Sequence, residues 1–195
     1  MLDIKQKFSI INTPVFTNKM LVSLLAKLPE QYTLYDLTRK GVLAVIKKDE
    51  AYLNLCYKER FTPRILGASY CKDTPYMFGG MAVYNRYGFT TQLANQYLIY
   101  SSVYYGERRI YTVDFQFKKV DTALLYGMVP HVDRGITYQM MSKERAFIEF
   151  CRENKENVKG LKSLSTTLHL PALKRLLKRY PYQKVRDFIS QIILQ

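Results

Sequence analysis

Met20, Leu21, Leu24, Leu25 and Leu28 recur at spacings of three and four, giving one apolar face to a helix beginning near Lys19. Thr17 or Asn18 stands ahead of it and can cap its free N–H groups. Pro29 fits the first turn of a second helix, predicted from about Glu30 to Lys40, with Leu34 and Leu37 inward and Gly41 at its end. Gln31, Tyr32, Tyr35, Thr38 and Arg39 are left outward. Val42–Ile46 and Ala51–Leu55 then read as a hairpin with Lys47-Lys48 at its turn. Two short helices, a turn and a hairpin predict a winged helix-turn-helix, whose second helix enters the major groove of DNA. The DNA-binding set is then Lys19, Gln31, Tyr32, Tyr35, Thr38, Arg39, Lys40, Lys47 and Lys48. The competing reading is an ordinary helix pair and hairpin with solvated lysines.

Further along, CYKERFTPRI at 56–65 is charged and holds Pro63, and it places a domain junction there, giving residues 1–60 and 61–195. The second part opens with a helix around Pro63–Ser69. The Gly79-Gly80 pair allows close backbone approach ahead of a short helix ending at Gly88. Its surroundings lack the GxxxxGK[ST] and GxGxxG spacings of phosphate loops. Three strand-like runs follow, at Gln96–Val103, Arg109–Phe117 and near Ile136–Met140. Within the second, Ile110, Val113, Phe115 and Phe117 mix with Asp114, Gln116 and Lys118 in near alternation, as in a strand with one buried face. Ser142 caps a helix in which Ala146, Phe147, Ile148 and Phe150 face inward. Helices are expected over Leu161–Leu168, Pro171–Tyr180 and Tyr182–Leu194. The fold class is therefore α+β: a winged helix-turn-helix, then a mixed α/β domain with a helical C-terminus.

The chain of 195 residues carries a formal net charge of +14. Residues 1–60 hold 10 basic and 6 acidic side chains, residues 61–150 hold 10 and 7, and residues 151–195 hold 10 and 3. Half the excess positive charge thus lies in the last 45 residues, and a polyanion is the natural partner. Lys162, Lys174, Arg175, Lys178, Arg179, Lys184 and Arg186 form the candidate surface, against the bland alternative of a solvated helix face buried through Leu173, Leu176 and Leu177. Cys56, Cys71 and Cys151 form no CxxC pair or disulfide framework, and with only His131 and His169 besides, no metal site or cofactor is expected. Asp3, Lys5 and Lys7 interrupt any signal peptide, so a cytoplasmic location is expected. Tyr87–Gly106 lacks charge and is about long enough to span a bilayer, but its Thr, Gln, Asn and Ser residues argue against a membrane span.

Several of these blocks, taken in order, resemble the AbiEi family, the antitoxin and repressor component of bacterial type IV toxin–antitoxin systems. LTRKGVLAVIKKDEAYL (37–53) is similar to that family's recognition-helix end and wing. PYMFGGMAVYNRYGFTTQ (75–92) resembles its block in which a small helix ends in a Gly-hydrophobic-Thr-x-Gln run, followed by QYLIYSSV and RRIYTVDFQF. SKERAFIEF (142–150) resembles its later helix start. The chain departs from the family at the wing, where Asp49 and Glu50 replace an Arg-Gly turn, and at Phe89, where Leu is usual. The resemblance implies a DNA-binding repressor acting on the operator of its own operon, not an enzyme. It further implies an antitoxin-type second domain that counters a nucleotidyltransferase-like toxin, with or without stable contact.

Two other classes compete. A restriction-endonuclease-like, metal-dependent nuclease needs carboxylates and a Lys at the scissile phosphate. Asp114, Gln116, Lys118 and Asp121, with Glu107 upstream, supply a loose version in which Gln takes the central acid's place. An RNA-binding adaptor would use the basic C-terminal helices and some of the 17 tyrosines for stacking.

Overall fold

In the computed structural model, which describes residues 3–194, the first helix starts where the Asp3 carboxylate accepts the Ile4 N–H at 2.7 Å. This helix, α1 (Ile4–Ser9), is followed by β1 (Val15–Thr17), α2 (Asn18–Leu25), α3 (Leu34–Arg39), β2 (Leu43–Lys47) and β3 (Ala51–Asn54). The strands form an antiparallel sheet in the order β1-β3-β2, with Phe16 and Val45 both opposite Tyr52. Phe8, Phe16, Leu21, Leu37, Val42, Leu43 and Tyr52 pack between this sheet and the three helices as one core. Phe8 meets Phe16 edge-on, with ring centres 5.6 Å apart. Buried Asn54 ties the sheet to α1 and to the α1–β1 loop, its amide donating to Phe8 O at 3.2 Å and Thr13 O at 3.1 Å.

Two elements differ from the sequence expectation here. Leu25 ends α2 earlier than its apolar run suggests, and Pro29 does not open the next helix. Thr33 opens α3 instead: its side chain accepts from Asp36 N at 3.1 Å, while Asp36 accepts from Thr33 N at 2.9 Å. This reciprocal cap satisfies two N–H groups, whereas Pro29 removes only one.

By contacts the chain divides into two units. The first comprises residues 1–73 with 109–113 and 132–138, and the second comprises 74–108, 114–131 and 139–195. The helix α4 (Pro63–Tyr70), read from the sequence as part of the second domain, packs on β2 and β3 of the first unit. Thr62, just ahead of it, donates its hydroxyl to Asp133 at 2.5 Å, and Arg134 pairs with Glu59 at 2.8 Å.

The remaining elements are β4 (Tyr76–Gly79), α5 (Met81–Arg86), β5 (Tyr97–Ser101), β6 (Gly106–Ile110), β7 (Val113–Lys119), β8 (Met128–Asp133), β9 (Ile136–Met141), α6 (Lys143–Glu153), α7 (Val158–Ser165), α8 (Leu170–Arg179) and α9 (Gln183–Leu194). The six strands form one sheet in the order β6-β7-β5-β4-β9-β8. β4 runs antiparallel to β5, while the β4–β9 and β5–β7 pairs are parallel. The expected strand Arg109–Phe117 is in fact split by a turn at Tyr111, whose φ is +55°. The Gly79-Gly80 pair does permit close approach: a Cβ on Gly79 would sit 2.6 Å from the Tyr100 ring, and one on Gly80 2.9 Å from Leu98 Cβ. Within the second unit α6 is the central helix, buried from Arg145 through Cys151 and in contact with α5, α8 and α9. Among the described residues no helix is long and apolar enough to cross a membrane.

Leu37 is fully buried and Tyr35 is 70% exposed on the same short helix. Leu37→Ala is expected to cost about 2–5 kcal/mol in denaturant unfolding, and Tyr35→Ala to stay within about 0.5 kcal/mol. Equal losses would contradict the assignment of inner and outer faces.

Candidate nucleic-acid interface

A six-residue helix is too short to persist by backbone hydrogen bonding alone, so α3 depends on its cap and on Leu37. Anchoring Leu37 in the core turns the opposite side outward, and that side carries Tyr35 and Arg39, both exposed, with the exposed C-cap residue Lys40 following. Thr38 is half-buried and donates its hydroxyl to Tyr35 O at 2.9 Å, so it serves the helix itself. Gln31, in the turn ahead of α3, is exposed, as is Lys19 in the first turn of α2.

Tyr32 occupies a different position from the one its sequence context suggests. It lies before the helix, half-buried against the core, with its hydroxyl bonded to Glu30 and the Lys40 ammonium 4.8 Å from its ring centre. Glu30 also faces Lys7 at 3.7 Å. Tyr32 therefore braces the turn between α2 and α3. At the β2–β3 turn Lys47 pairs with Glu50, Asp49 sits at φ +59°, and Lys48 is exposed. The two acids balance the two lysines at this tip. Counted over its residues, the first unit carries 14 basic and 8 acidic side chains, so its positive excess lies away from the wing tip.

The C-terminal cations also separate into two kinds. Lys162, Lys174, Arg175, Lys178 and Lys184 are exposed along α7, α8 and α9. Arg179 is spent partly on Tyr126, its guanidinium 4.5 Å from the ring centre, and Arg186 donates to Tyr180 O at 3.0 Å. Leu173 and Leu177 are buried on the opposite side of α8, as the apolar–basic alternation predicts, while Leu176 is half-buried.

The residues of the nuclease pattern occupy β6, β7 and the loop beyond. Asp114, Gln116 and Lys118 share the exposed face of β7, with Phe115 and Phe117 inward. Glu107 on β6 is exposed, and Asp121 accepts from Ala123 N at 2.7 Å, capping a 3-10 turn. Among the described residues no group of three or more His, Cys, Asp and Glu could hold a metal ion. Burial pushes the Cys71 thiol up to about 12 and raises Cys151 as well, so both stay protonated at neutral pH.

A charged cluster inside the second unit was not anticipated. Arg145 and Glu149, each 2% exposed, approach to 2.6 Å, and Arg152 reaches the other Glu149 oxygen at 3.0 Å. The Tyr180 hydroxyl donates to that same oxygen at 3.2 Å. The signal was present in SKERAFIEF as an Arg and a Glu four residues apart on an otherwise apolar helix face.

Neither the models of known protein families nor the curated proteins contain a match to this chain.

The Thr33 hydrogen bonds hold the Asp36 carboxyl below its ordinary 3.8, so its contribution to the cap is complete above that pH and is lost as pH falls through its lowered value. In an NMR titration Asp36 is expected to titrate below 3.8, and Thr33→Ala should return it toward that value. An Asp36 that titrates identically in both proteins would rule out the reciprocal cap.

Proposed function

We propose that the first unit is a winged helix-turn-helix that binds duplex DNA through the outward side of α3. The observation that carries this reading is the α-β-α-α-β-β order closing on the β1-β3-β2 sheet, with Leu37 inward and Tyr35 and Arg39 outward on its third helix and Lys40 exposed at its end. In this reading Gln31, Tyr35 and Arg39 address base edges, and Lys19, Lys40 and Lys48 address phosphate. Tyr32 and Lys47 keep the helix turn and the wing in shape. The neutral wing tip supports giving most of the contact to the helix.

On this basis the chain is a repressor and antitoxin of the AbiEi kind, acting in the cytoplasm on the operator of its own operon. The second unit counters a nucleotidyltransferase-like toxin through the exposed cations of α7, α8 and α9. The formal net charge of +14 supports a polyanionic partner, and the ordered blocks of likeness support the family.

Tyr35→Ala combined with Arg39→Ala is expected to weaken binding to the DNA upstream of the gene by about tenfold or more, with circular dichroism unchanged. A gel-shift titration at two salt concentrations reads this, because a specific complex outlasts a non-specific one as salt rises. Unchanged affinity in the double variant would refute the role given to α3. Replacing Lys174, Arg175 and Lys178 with Gln is expected to abolish protection of cells expressing the neighbouring toxin. Retained protection would remove that surface from the account.

A further inference from the structure

Behind the Arg145–Glu149 pair lies a cavity of about 60 Å³, lined in part by Tyr100, Lys118, Arg145, Glu149 and Arg152. Exposed Pro181 and Tyr182 form its rim. One water needs roughly 10–15 Å³ of such space, so the cavity has room for a group of four or five non-hydrogen atoms.

The donors around it exceed the acceptors. Both Glu149 oxygens are already engaged, one by Arg145 and the other by Arg152 and Tyr180. The Arg145 guanidinium is held between two rings, 4.9 Å from the centre of Tyr126 and 5.1 Å from that of Tyr180. Its Nε is buried and has no hydrogen-bond partner among the described residues, and the same holds for the Tyr100 hydroxyl. The Lys118 ammonium lies 5.6 Å from the Tyr100 ring centre. Three cations thus face the cavity against one carboxylate, with Glu153 offsetting part of the excess from outside the lining through its 3.2 Å contact with Arg152. Buried donors without acceptors, an immobilised guanidinium and excess positive charge together describe a receptor for a small multivalent oxyanion.

We infer that this cavity binds a phosphoryl group, with Arg145 Nε, the Tyr100 hydroxyl and Lys118 as its donors. Glu149 acts as the positioning residue, fixing Arg145 and Arg152 while leaving their remaining donors open. Free phosphate and the phosphate of a nucleotide share this chemistry, and for a nucleotide the exposed Tyr182 ring at the rim offers a surface on which a base can stack.

The full chain is titrated with inorganic phosphate and with adenosine monophosphate, following the ³¹P NMR signal, and with potassium chloride at equal ionic strength, following thermal unfolding. Saturable ³¹P broadening is expected, with a rise in Tm that chloride does not reproduce. Lys118→Gln changes an exposed side chain and Tyr100→Phe removes only an unpartnered hydroxyl, so both variants keep the fold. Each is expected to bind phosphate about tenfold more weakly. The Tyr35→Ala/Arg39→Ala variant is expected to bind phosphate as the natural chain does, which separates this cavity from the DNA-binding reading. Tighter binding of the nucleotide identifies a nucleotide ligand, and equal binding identifies the phosphoryl group alone. The assignment is overturned if phosphate acts no differently from chloride, or if both cavity variants bind it undiminished.

Discussion

The burial of Leu37 decides what the first unit can present to a partner. A helix of six residues has little more than one face to bury and one to expose, and no length in which to adjust its rotation. Once Leu37 enters the core beside Phe8, Leu21 and Val42, the positions of Tyr35, Arg39 and Lys40 follow. The reciprocal Thr33–Asp36 cap fixes where the helix begins, and Tyr32, clamped by Glu30 and Lys40, fixes the turn before it. The exposed side chains are therefore carried on a capped and packed element, so a partner that met them there would require no loop to be ordered.

The second unit poses a different problem, because its central helix carries ionised groups into the interior. A buried ion pair recovers its desolvation only if its remaining hydrogen-bonding capacity is met. Glu149 meets that condition, with both oxygens engaged, and Arg145 meets it in part by lying between Tyr126 and Tyr180. The tyrosines thus have a task beyond filling space. Their hydroxyl groups and ring faces compensate charge, and burial beside Glu149 drives the hydroxyl pKa values of Tyr100 and Tyr180 above the ordinary range.

Much of this was legible in the chain, and the misses have particular causes. The inward set of α8, the Ser142 cap and the Gly79-Gly80 approach follow from periodicity and backbone chemistry, and all three are present in the fold. Pro29 misled because it suits a helix start wherever one exists, while Thr33 with Asp36 forms a stronger one four residues later. The strand β8 was not expected; it holds Pro130 and lies at the edge of its sheet, where a strand tolerates proline. The turn at Tyr111 was invisible because a tyrosine at positive φ carries no turn signal. In the candidate interface, Tyr35 and Arg39 were readable from their spacing to Leu37, whereas the bracing role of Tyr32 depends on Glu30 and Lys40 meeting it in space. The burial of Arg145 was not legible because charge is ordinarily solvated, and only its pairing with Glu149 accounts for it.

The central claim is that α3 is the surface that touches DNA, and amide chemical-shift mapping tests it most directly. The ¹⁵N-labelled full chain is titrated with a duplex from upstream of its gene. The account predicts that the largest shifts fall on residues 31–40, with smaller ones at Lys19 and Lys48. Shifts confined to α7, α8 and α9, with residues 31–40 unmoved, would contradict it.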